Sequence, residues 1–158
     1  MGVVLLIGIT ANNFPEKYQF KFLRFSSDIS PDMQTEKYGD KLWMTSNIRT
    51  LANRACYADN LNNCEIYGGL YLYPAAINAC PSGWHTASES EFNSLLSYSS
   101  YSISALKDDE LWNGTNESGF SLLPTGVKHT SGGWNGLGDY AYIWLYNGSG
   151  TARSMYIN

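Results

Sequence analysis

The pattern of apolar and polar positions predicts two strands near the N-terminus of the chain. Residues 2–10 form an apolar run rich in β-branched side chains, and residues 18–24 alternate with period two. The first pattern is typical of a buried strand and the second of a half-buried one. The apolar run could instead be the remnant of a processed secretion signal, but a strand is the preferred interpretation.

The middle of the chain predicts short elements and one clear helix. Strands are predicted at Lys41–Met44 and Leu70–Tyr73, and one helical turn at Ala75–Ala79. The clear helix starts after Ser88 or Thr86, either of which can cap it. Two glutamates in its first turn suit the helix dipole, and an apolar stripe follows at helical spacing: Phe92, Leu95 and Leu96.

Beyond residue 106, glycine and asparagine interrupt the chain every few residues, which is typical of turns between short strands. Strands are predicted at Phe120–Leu123, Val127–His129, Tyr140–Tyr146 and Ala152–Ile157. No internal repeat or linker divides the chain. We therefore expect residues 1–158 to form a single α+β domain with a helix-bearing first half and an irregular β second half.

Composition limits the classes of function that the chain can have. Charged residues make up 15% of the chain and aromatic residues another 15%, so Ser, Asn, Thr, Gly and Tyr must form much of the surface. Binding loops have this composition, and so do many secreted bacterial β-rich domains. The ten Lys and Arg are scattered and the net charge is −4, which disfavours nucleic-acid binding. No run approaches the ~20 apolar residues that a membrane span needs.

Four ordered motifs resemble those of one protein family. Residues 39–48 read G-D-K-L-W-M-T-S-N-I, and residues 56–76 read C-Y-A-D-N-L-N-N-C-E-I-Y-G-G-L-Y-L-Y-P-A-A. Residues 79–95 read A-C-P-S-G-W-H-T-A-S-E-S-E-F-N-S-L, and residues 118–127 read S-G-F-S-L-L-P-T-G-V. Across about residues 39–146 the chain thereby resembles the Fibrobacter succinogenes major paralogous domain family.

The resemblance implies a C-type lectin-like fold, related to the formylglycine-generating-enzyme group, with one or two short helices and an irregular antiparallel sheet with long loops. It also implies export to the surface or exterior of a bacterium, with adhesion or carbohydrate recognition as the usual role. Residues 1–38 would be N-terminal strands and a loop, residues 39–146 the family-matching core, and residues 147–158 a truncated strand region. The family's closing strand, G-F-S-V-R-C-V, and its cysteine are expected to be missing.

The cysteines suit an exported protein. Cys56 and Cys64 are separated by seven residues, and in an exported chain this spacing suits a disulfide loop worth about 2–3 kcal/mol. Zinc binding is the alternative, but no CxxC pair or close histidine supports it. The resemblance implies that Cys80 has lost a partner in the closing strand. Cys80 is thus expected to be a buried free thiol or an intermolecular partner.

Neither a metal nor a cofactor is expected. His85 precedes the predicted helix and is expected to hydrogen-bond a backbone carbonyl rather than a metal. The Asn-rich residues 59–65 offer oxygen ligands for calcium, but without the D-x-D-x-D-G register of a calcium loop. The signatures of calcium-dependent lectins, E-P-N or Q-P-D followed by W-N-D, are absent.

The late loops hold the best candidates for ligand binding. Indole and phenol rings stack on the apolar face of a sugar, and Asn and Asp bond hydroxyls whose burial without a partner costs about 1–3 kcal/mol. Trp112 and Trp134 are equally compatible with a core position, and Trp144 is expected in the core. The candidates are Trp112, Asn113, Asn116, Trp134, Asn135, Asp139, Tyr140 and Tyr142.

The preferred function is a secreted or cell-surface, non-enzymatic binding or adhesion module that recognises carbohydrate, with a glycan or other surface ligand as partner. An enzyme is disfavoured, because formylglycine generation needs late cysteines and none follows Cys80. The hydrolase motifs G-x-S-x-G and H-E-x-x-H are absent as well.

The alternative is a structural subunit of an extracellular filament or pilus-like homo-oligomer. The missing closing strand would leave a sheet edge open, and a neighbour's apolar N-terminal segment could fill it by β-strand complementation. The candidate assembly residues are Val3, Val4, Leu5, Leu6, Ile7 and Ile9.

Overall fold

The computed structural model describes residues 3–4, 7–9, 34–49, 52–81, 83–147 and 152–158. The strand predicted at residues 18–24 lies outside them. The described strands are β1 Val3–Val4, β2 Ile7–Ile9, β3 Thr35–Tyr38, β4 Lys41–Met44, β5 Leu70–Tyr71, β6 His85–Thr86, β7 Thr125–Lys128, β8 Trp134–Leu137, β9 Ala141–Tyr146 and β10 Ala152–Ile157. The described helices are α1 Leu61–Tyr67, α2 Tyr73–Ala79, α3 Glu89–Tyr98 and α4 Ile103–Leu106, with a 3-10 turn at Tyr57–Asp59.

The described strands form two sheets. The larger has the order β5-β1-β9-β7-β8, with β10 also paired to β9, and the smaller has the order β3-β4-β2-β6. Strand β9 is parallel to β1 and β7 but antiparallel to β10. The predicted α+β class is confirmed, but the described residues form four helices instead of the expected one or two. The expectation of an antiparallel sheet is wrong for the larger sheet, because β1 and β9 are joined by most of the chain and no hairpin sets their relative direction.

Strand β10 corrects the expectation of an open sheet edge. It pairs with β9 over six residues, from Ala152 opposite Tyr146 to Ile157 opposite Ala141. The other side of β9 pairs with β1 and β7. The strand predicted at residues 152–157 is confirmed, and the expectation that the closing strand is missing is wrong. Met155 and Ile157 pack against the main core, so period-two burial forms this strand without the family's letters.

The described part of the N-terminal apolar segment lies within the chain's own sheets. Strand β1 pairs with β5 and β9, and β2 pairs with β4 and β6. The strand interpretation of residues 2–10 is confirmed for Val3–Val4 and Ile7–Ile9, while Leu5 and Leu6 lie outside the described residues. Assembly through this segment would therefore compete with pairing inside the molecule.

Two clusters of buried side chains hold the fold together. The main core packs α3 against β9, and its largest fully buried members include Trp43, Phe92, Leu95, Leu106, Ile143 and Leu145. A second cluster surrounds α2, with Met44, Ile48, Tyr71, Ala76 and Ala79 buried. The larger sheet thus has packed side chains on both faces around β9.

Helix α3 begins where the sequence predicts. The Ser88 hydroxyl accepts a hydrogen bond from the Glu91 N–H at 3.2 Å, and the Glu91 carboxylate accepts one from the Ser88 N–H at 2.8 Å. This reciprocal pair is a capping box. By contrast, α1, α4, β3 and β8 were not predicted, and Phe120–Leu123 is not a strand. That segment contributes one isolated bridge, between Leu122 and Lys107.

Candidate functional site

Strand β9 separates core side chains from a row of aromatic ones. Alternate residues Ala141, Ile143 and Leu145 are fully buried in the main core. The residues between them, Tyr142 and Trp144 and then Tyr146 at the end, carry large rings on the opposite face. Period-two alternation therefore gives this strand a stabilising face and an aromatic one.

Three tyrosines gather at one end of this aromatic face. Tyr142 lies directly opposite Tyr156 in the β9–β10 pairing, and their ring centroids are 5.2 Å apart. Tyr140 stands edge-on to Tyr142 at 5.8 Å and lies 5.2 Å from Tyr156. Tyr156 is 48% exposed, and the other two rings are half-buried. Each ring thus contacts both others while the group stays open to solvent.

Glycines seat the rings on the sheet beneath them. A Cβ on Gly136 would lie 2.1 Å from Cζ of Tyr140, so only glycine leaves room for that ring. A Cβ on Gly126 would lie 2.8 Å from Cε2 of Tyr57. Gly126 also donates its N–H to the Tyr140 carbonyl at 2.8 Å. The two glycines, both with positive φ, therefore place Tyr57 next to Tyr140.

Tyr57 extends the tyrosine group to a tryptophan. Its ring centroid lies 5.3 Å from that of Trp134 on β8, and both residues are half-buried. We call the five residues Tyr57, Trp134, Tyr140, Tyr142 and Tyr156 the aromatic platform. Burial, followed by the nearby charges of Tyr142, Tyr156, Tyr57 and Asp139, raises the pKa of Tyr140 above its ordinary value. The Tyr140 hydroxyl therefore stays protonated at neutral pH and can donate a hydrogen bond.

Polar side chains border the platform. The Lys128 ammonium lies 4.4 Å from the centroid of the Trp134 ring and 3.5 Å from Asp59 Oδ1. Its charge is thus shared between an indole face and a carboxylate. Asn135 and Asp139 are exposed beside Trp134 and Tyr140. Rings with hydroxyl, amide and carboxylate groups around them can stack on a sugar and bond its hydroxyls.

The family model of the Fibrobacter succinogenes major domain matches residues 37–157. The chain belongs to this family. The match runs from β3 to the end of β10, so it includes the whole platform and the closing strand. No curated protein and no solved structure matches the chain.

Five of the eight predicted ligand residues of this family member lie at the platform: Trp134, Asn135, Asp139, Tyr140 and Tyr142. Trp112 does not, because it is 4% exposed and donates its indole N–H to the Asp139 carbonyl at 2.9 Å. Asn116 accepts from the Ser121 N–H at 3.0 Å and donates to the Ser121 hydroxyl at 2.9 Å, so it closes its own loop. Asn113 is exposed in a turn with φ of 50°.

Trp144 has a structural role, as predicted. It is half-buried against the second cluster, its indole N–H donates to the Tyr71 carbonyl at 3.0 Å, and its ring lies 5.4 Å from that of Tyr73. Of the aromatic residues on the outer face of β9, Tyr142 therefore belongs to the platform, while Trp144 packs under α2.

Two platform residues, Tyr57 and Tyr156, were not predicted. Tyr57 could have been predicted from its position directly after Cys56, because the disulfide holds that residue close to the rest of the fold. Tyr156 is visible from the sequence only once the register of β9 and β10 is known, because the platform needs Tyr156 opposite Tyr142.

The disulfide predicted for this family member is present. Cys56 and Cys64 are joined with an S–S distance of 2.02 Å and a Cα–Cα distance of 5.0 Å. It ties the 3-10 turn that carries Tyr57 to helix α1. Cys80 is free and half-buried rather than fully buried. Burial raises the pKa of its thiol, against opposing hydrogen bonds from Thr86.

The Asn-rich residues 59–65 are used by the fold. Asn60 accepts from the Asn62 N–H at 3.0 Å and caps α1, and the Asn63 amide donates to the Tyr57 carbonyl at 2.9 Å. Asp59 pairs with Lys128. Among the described residues, no group of three or more His, Cys, Asp or Glu could hold a metal ion.

His85 contacts a carboxylate instead of the predicted carbonyl. Its Nε2 lies 3.1 Å from both oxygens of Glu91, which Lys41 approaches at 3.8 Å. Burial alone would raise the pKa of Glu91, but hydrogen bonds from the Ser88 N–H and hydroxyl, together with His85, outweigh it. The pKa of Glu91 therefore lies below its ordinary value. The expected carbonyl is not used because the capping box places a carboxylate beside the ring.

Proposed function

We propose that this protein is an exported, non-enzymatic binding module with a C-type lectin-like fold, and that it recognises a neutral carbohydrate on the aromatic platform. The ligand is a glycan on a surface or in the surroundings of a bacterium. The role is adhesion or capture, without a metal or cofactor.

The tyrosine triad, with Tyr156 exposed and the other two rings half-buried, is the observation that carries this proposal. Tyr140, Tyr142 and Tyr156 bring three rings within 5.2–5.8 Å of one another at the surface. Tyrosine offers a large, rigid contact area at low entropic cost, together with a hydroxyl for bonding. Such clusters are typical of binding hot spots, and an exposed group of rings otherwise has an unfavourable contact with water.

The charges around the platform favour a neutral ligand. The Lys128 ammonium is already paired with Asp59, and Asp139 is exposed beside Tyr140. An anionic ligand would be repelled by the exposed Asp139 carboxylate. Sugar hydroxyls, by contrast, would find acceptors in Asp139 and Asn135 and donors in the tyrosine hydroxyls.

Export is supported by the disulfide, since disulfides persist mainly in oxidising compartments. None of the helices in the described ranges combines the length and apolarity of a membrane span.

A glycan array with the full chain, followed by calorimetric titration of the best neutral binder, tests the proposal. Replacing Tyr156 by alanine should weaken binding at least tenfold, about 1.4 kcal/mol, because it removes an exposed ring that contacts two others. Tyr101→Ala is the matched control, since Tyr101 is 73% exposed and lies outside the platform. Equal binding by both variants, or no neutral glycan bound by the wild type, would contradict the proposal.

The alternative proposal is assembly through the N-terminal segment. It has lost its original argument, because β10 fills the edge of β9 that a neighbour's strand was expected to occupy. Light scattering of the purified chain at increasing concentration tests it. Growth into filaments would favour assembly, and a constant monomer mass would exclude it.

A further inference from the structure

A groove that shares no residue with the platform lies beside α2. Its volume is about 500 Å³, and it is lined by Asn53, Arg54, Leu72, Pro74, Ala75 and Asn78. Asn53 and Arg54 precede the short bridge between Ala55 and Leu70, Leu72 is the N-cap of α2, and the other three residues lie within that helix. We call this the Arg54 groove. Its volume falls within the range of sites that hold small organic ligands.

Arg54 lines this groove and is hydrogen-bonded to the backbone of a second arginine, Arg49. The Arg54 Nη1 donates to the Arg49 carbonyl at 2.9 Å, and the Arg49 Nη2 donates to the Glu65 carbonyl at 2.8 Å. Both residues are half-buried. The Arg49 Nε is buried and has no hydrogen-bond partner. Backbone carbonyls, which are neutral, thus hold the Arg54 guanidinium at the groove and the Arg49 guanidinium against α1.

No carboxylate in the described part of the chain neutralises this pair. The ion pairs there involve Lys41, His85, Lys128 and Arg153, but neither Arg49 nor Arg54. The absence of a counterion is unusual in a chain with a net charge of −4, because partly buried guanidinium groups are normally paired. The groove therefore has the charge that an anionic ligand needs, and a planar fork suited to a carboxylate.

The remaining lining suits a sugar ring. Leu72, Pro74 and Ala75 form an apolar side, and Leu72 is 56% exposed. Asn53 and Asn78 add amide groups, and the Asn78 Nδ2 donates to the Pro74 carbonyl at 2.9 Å, which leaves its Oδ1 as an acceptor. We propose that the Arg54 groove binds a carboxylate-bearing sugar, a uronic acid residue, with the carboxylate on Arg54 and the ring against Leu72 and Pro74.

A peptide chain end also carries a carboxylate but fits the groove less well. A peptide needs backbone partners, and two carbonyls of the lining are already occupied: Leu72 accepts from the Ala76 N–H at 2.8 Å, and Pro74 accepts from Asn78. The free groups of the lining are side-chain amides and a guanidinium. These suit hydroxyls and a carboxylate on one small ring.

The choice of a sugar rests on the proposed function, whereas the carboxylate preference does not. Calorimetric titration of the full chain with digalacturonic acid, its dimethyl ester and a dipeptide with a free carboxyl terminus tests both. The acid should bind. The uncharged ester should bind at least about tenfold more weakly, because it lacks the charged hydrogen bonds. This comparison uses the wild type and does not depend on the folding of a variant.

Variants then locate the site. Arg54→Gln should weaken acid binding at least about tenfold, and Arg54→Lys should lose part of it, because lysine keeps the charge without the fork. Arg153→Gln, which removes an equally positive charge from an exposed ion pair, should leave acid binding unchanged. If neutral glycans fail to bind the platform while this pattern holds, the proposed function fails and the groove assignment stands.

Three results would overturn the inference. The first is equal affinity for the acid and its dimethyl ester. The second is an Arg54→Gln variant, or an Arg54→Lys variant, that binds the acid as tightly as the wild type. The third is tighter binding of the dipeptide than of digalacturonic acid, which would assign the groove to a peptide end.

Discussion

The cap of α3 and the aromatic platform both gather side chains capable of chemistry, but only the platform leaves them available. In the cap, the Glu91 carboxylate accepts from the Ser88 N–H and hydroxyl at 2.8 Å and contacts His85 at 3.1 Å. On the platform, the rings contact one another and face solvent. A cluster whose groups are satisfied locally stabilises the fold, whereas a cluster of exposed rings can serve a ligand.

The largest expected effect comes from breaking the cap. Glu91→Ala should lower the free energy of unfolding by about 2–3 kcal/mol, because it removes charged hydrogen bonds and one half of the capping box. Glu89→Ala is the control in the same helical turn. Its exposed pair with Arg153 should be worth about 0.5 kcal/mol. Urea denaturation measures both, and equal losses would contradict the account of the cap.

A smaller loss is expected when the seat of the platform is altered. Gly136→Ala places a Cβ 2.1 Å from the Tyr140 ring at a φ of 74°. Gly138→Ala has a similar φ of 86°, but nothing lies within 4 Å of the added Cβ. Both share the strain of positive φ, so Gly136→Ala should cost about 1–2 kcal/mol more, because only it displaces a ring. Urea denaturation gives the difference, and equal stability would show that Tyr140 does not rest on Gly136.

The cap also predicts a dependence of stability on acid pH. The folded protein holds the pKa of Glu91 below its ordinary value, so the ionised carboxylate stabilises the fold above the unfolded pKa. That contribution is lost as the pH falls through the folded pKa. Urea denaturation at neutral and acid pH should therefore show a steeper loss for the wild type than for Glu91→Gln. Parallel losses would contradict the assigned shift.

Local signals were enough to predict the cap and the disulfide. Ser88 and Glu91 lie at capping-box spacing before an apolar stripe, so the helix start could be read from the sequence alone. The spacing of Cys56 and Cys64 indicated a disulfide loop, with zinc binding as the alternative. The bond between the two sulfurs decides in favour of the disulfide.

The platform depends on distant pairings that local patterns do not contain. Tyr156 joins Tyr142 through the register of β9 and β10. Strand β8 was missed because Trp134–Leu137 includes Asn135 and Gly136, which strands disfavour, yet Gly136 is needed beneath Tyr140. Trp112 was among the predicted ligand residues because of its loop position. Packing against distant residues buries it instead.

Tyr156→Ala combines the smallest expected effect on stability with the largest expected effect on glycan binding. Tyr156→Ala should change the free energy of unfolding by no more than about 1 kcal/mol, because the side chain is 48% exposed at the sheet surface. Urea denaturation of this variant beside Tyr101→Ala measures that cost and shows whether the two variants are equally folded.

The most direct test of the platform is calorimetric titration of a neutral glycan into wild type, Tyr156→Ala and Tyr101→Ala. The account predicts at least tenfold weaker binding for Tyr156→Ala alone, with all three proteins folded. Unchanged affinity in a folded Tyr156→Ala variant would contradict it.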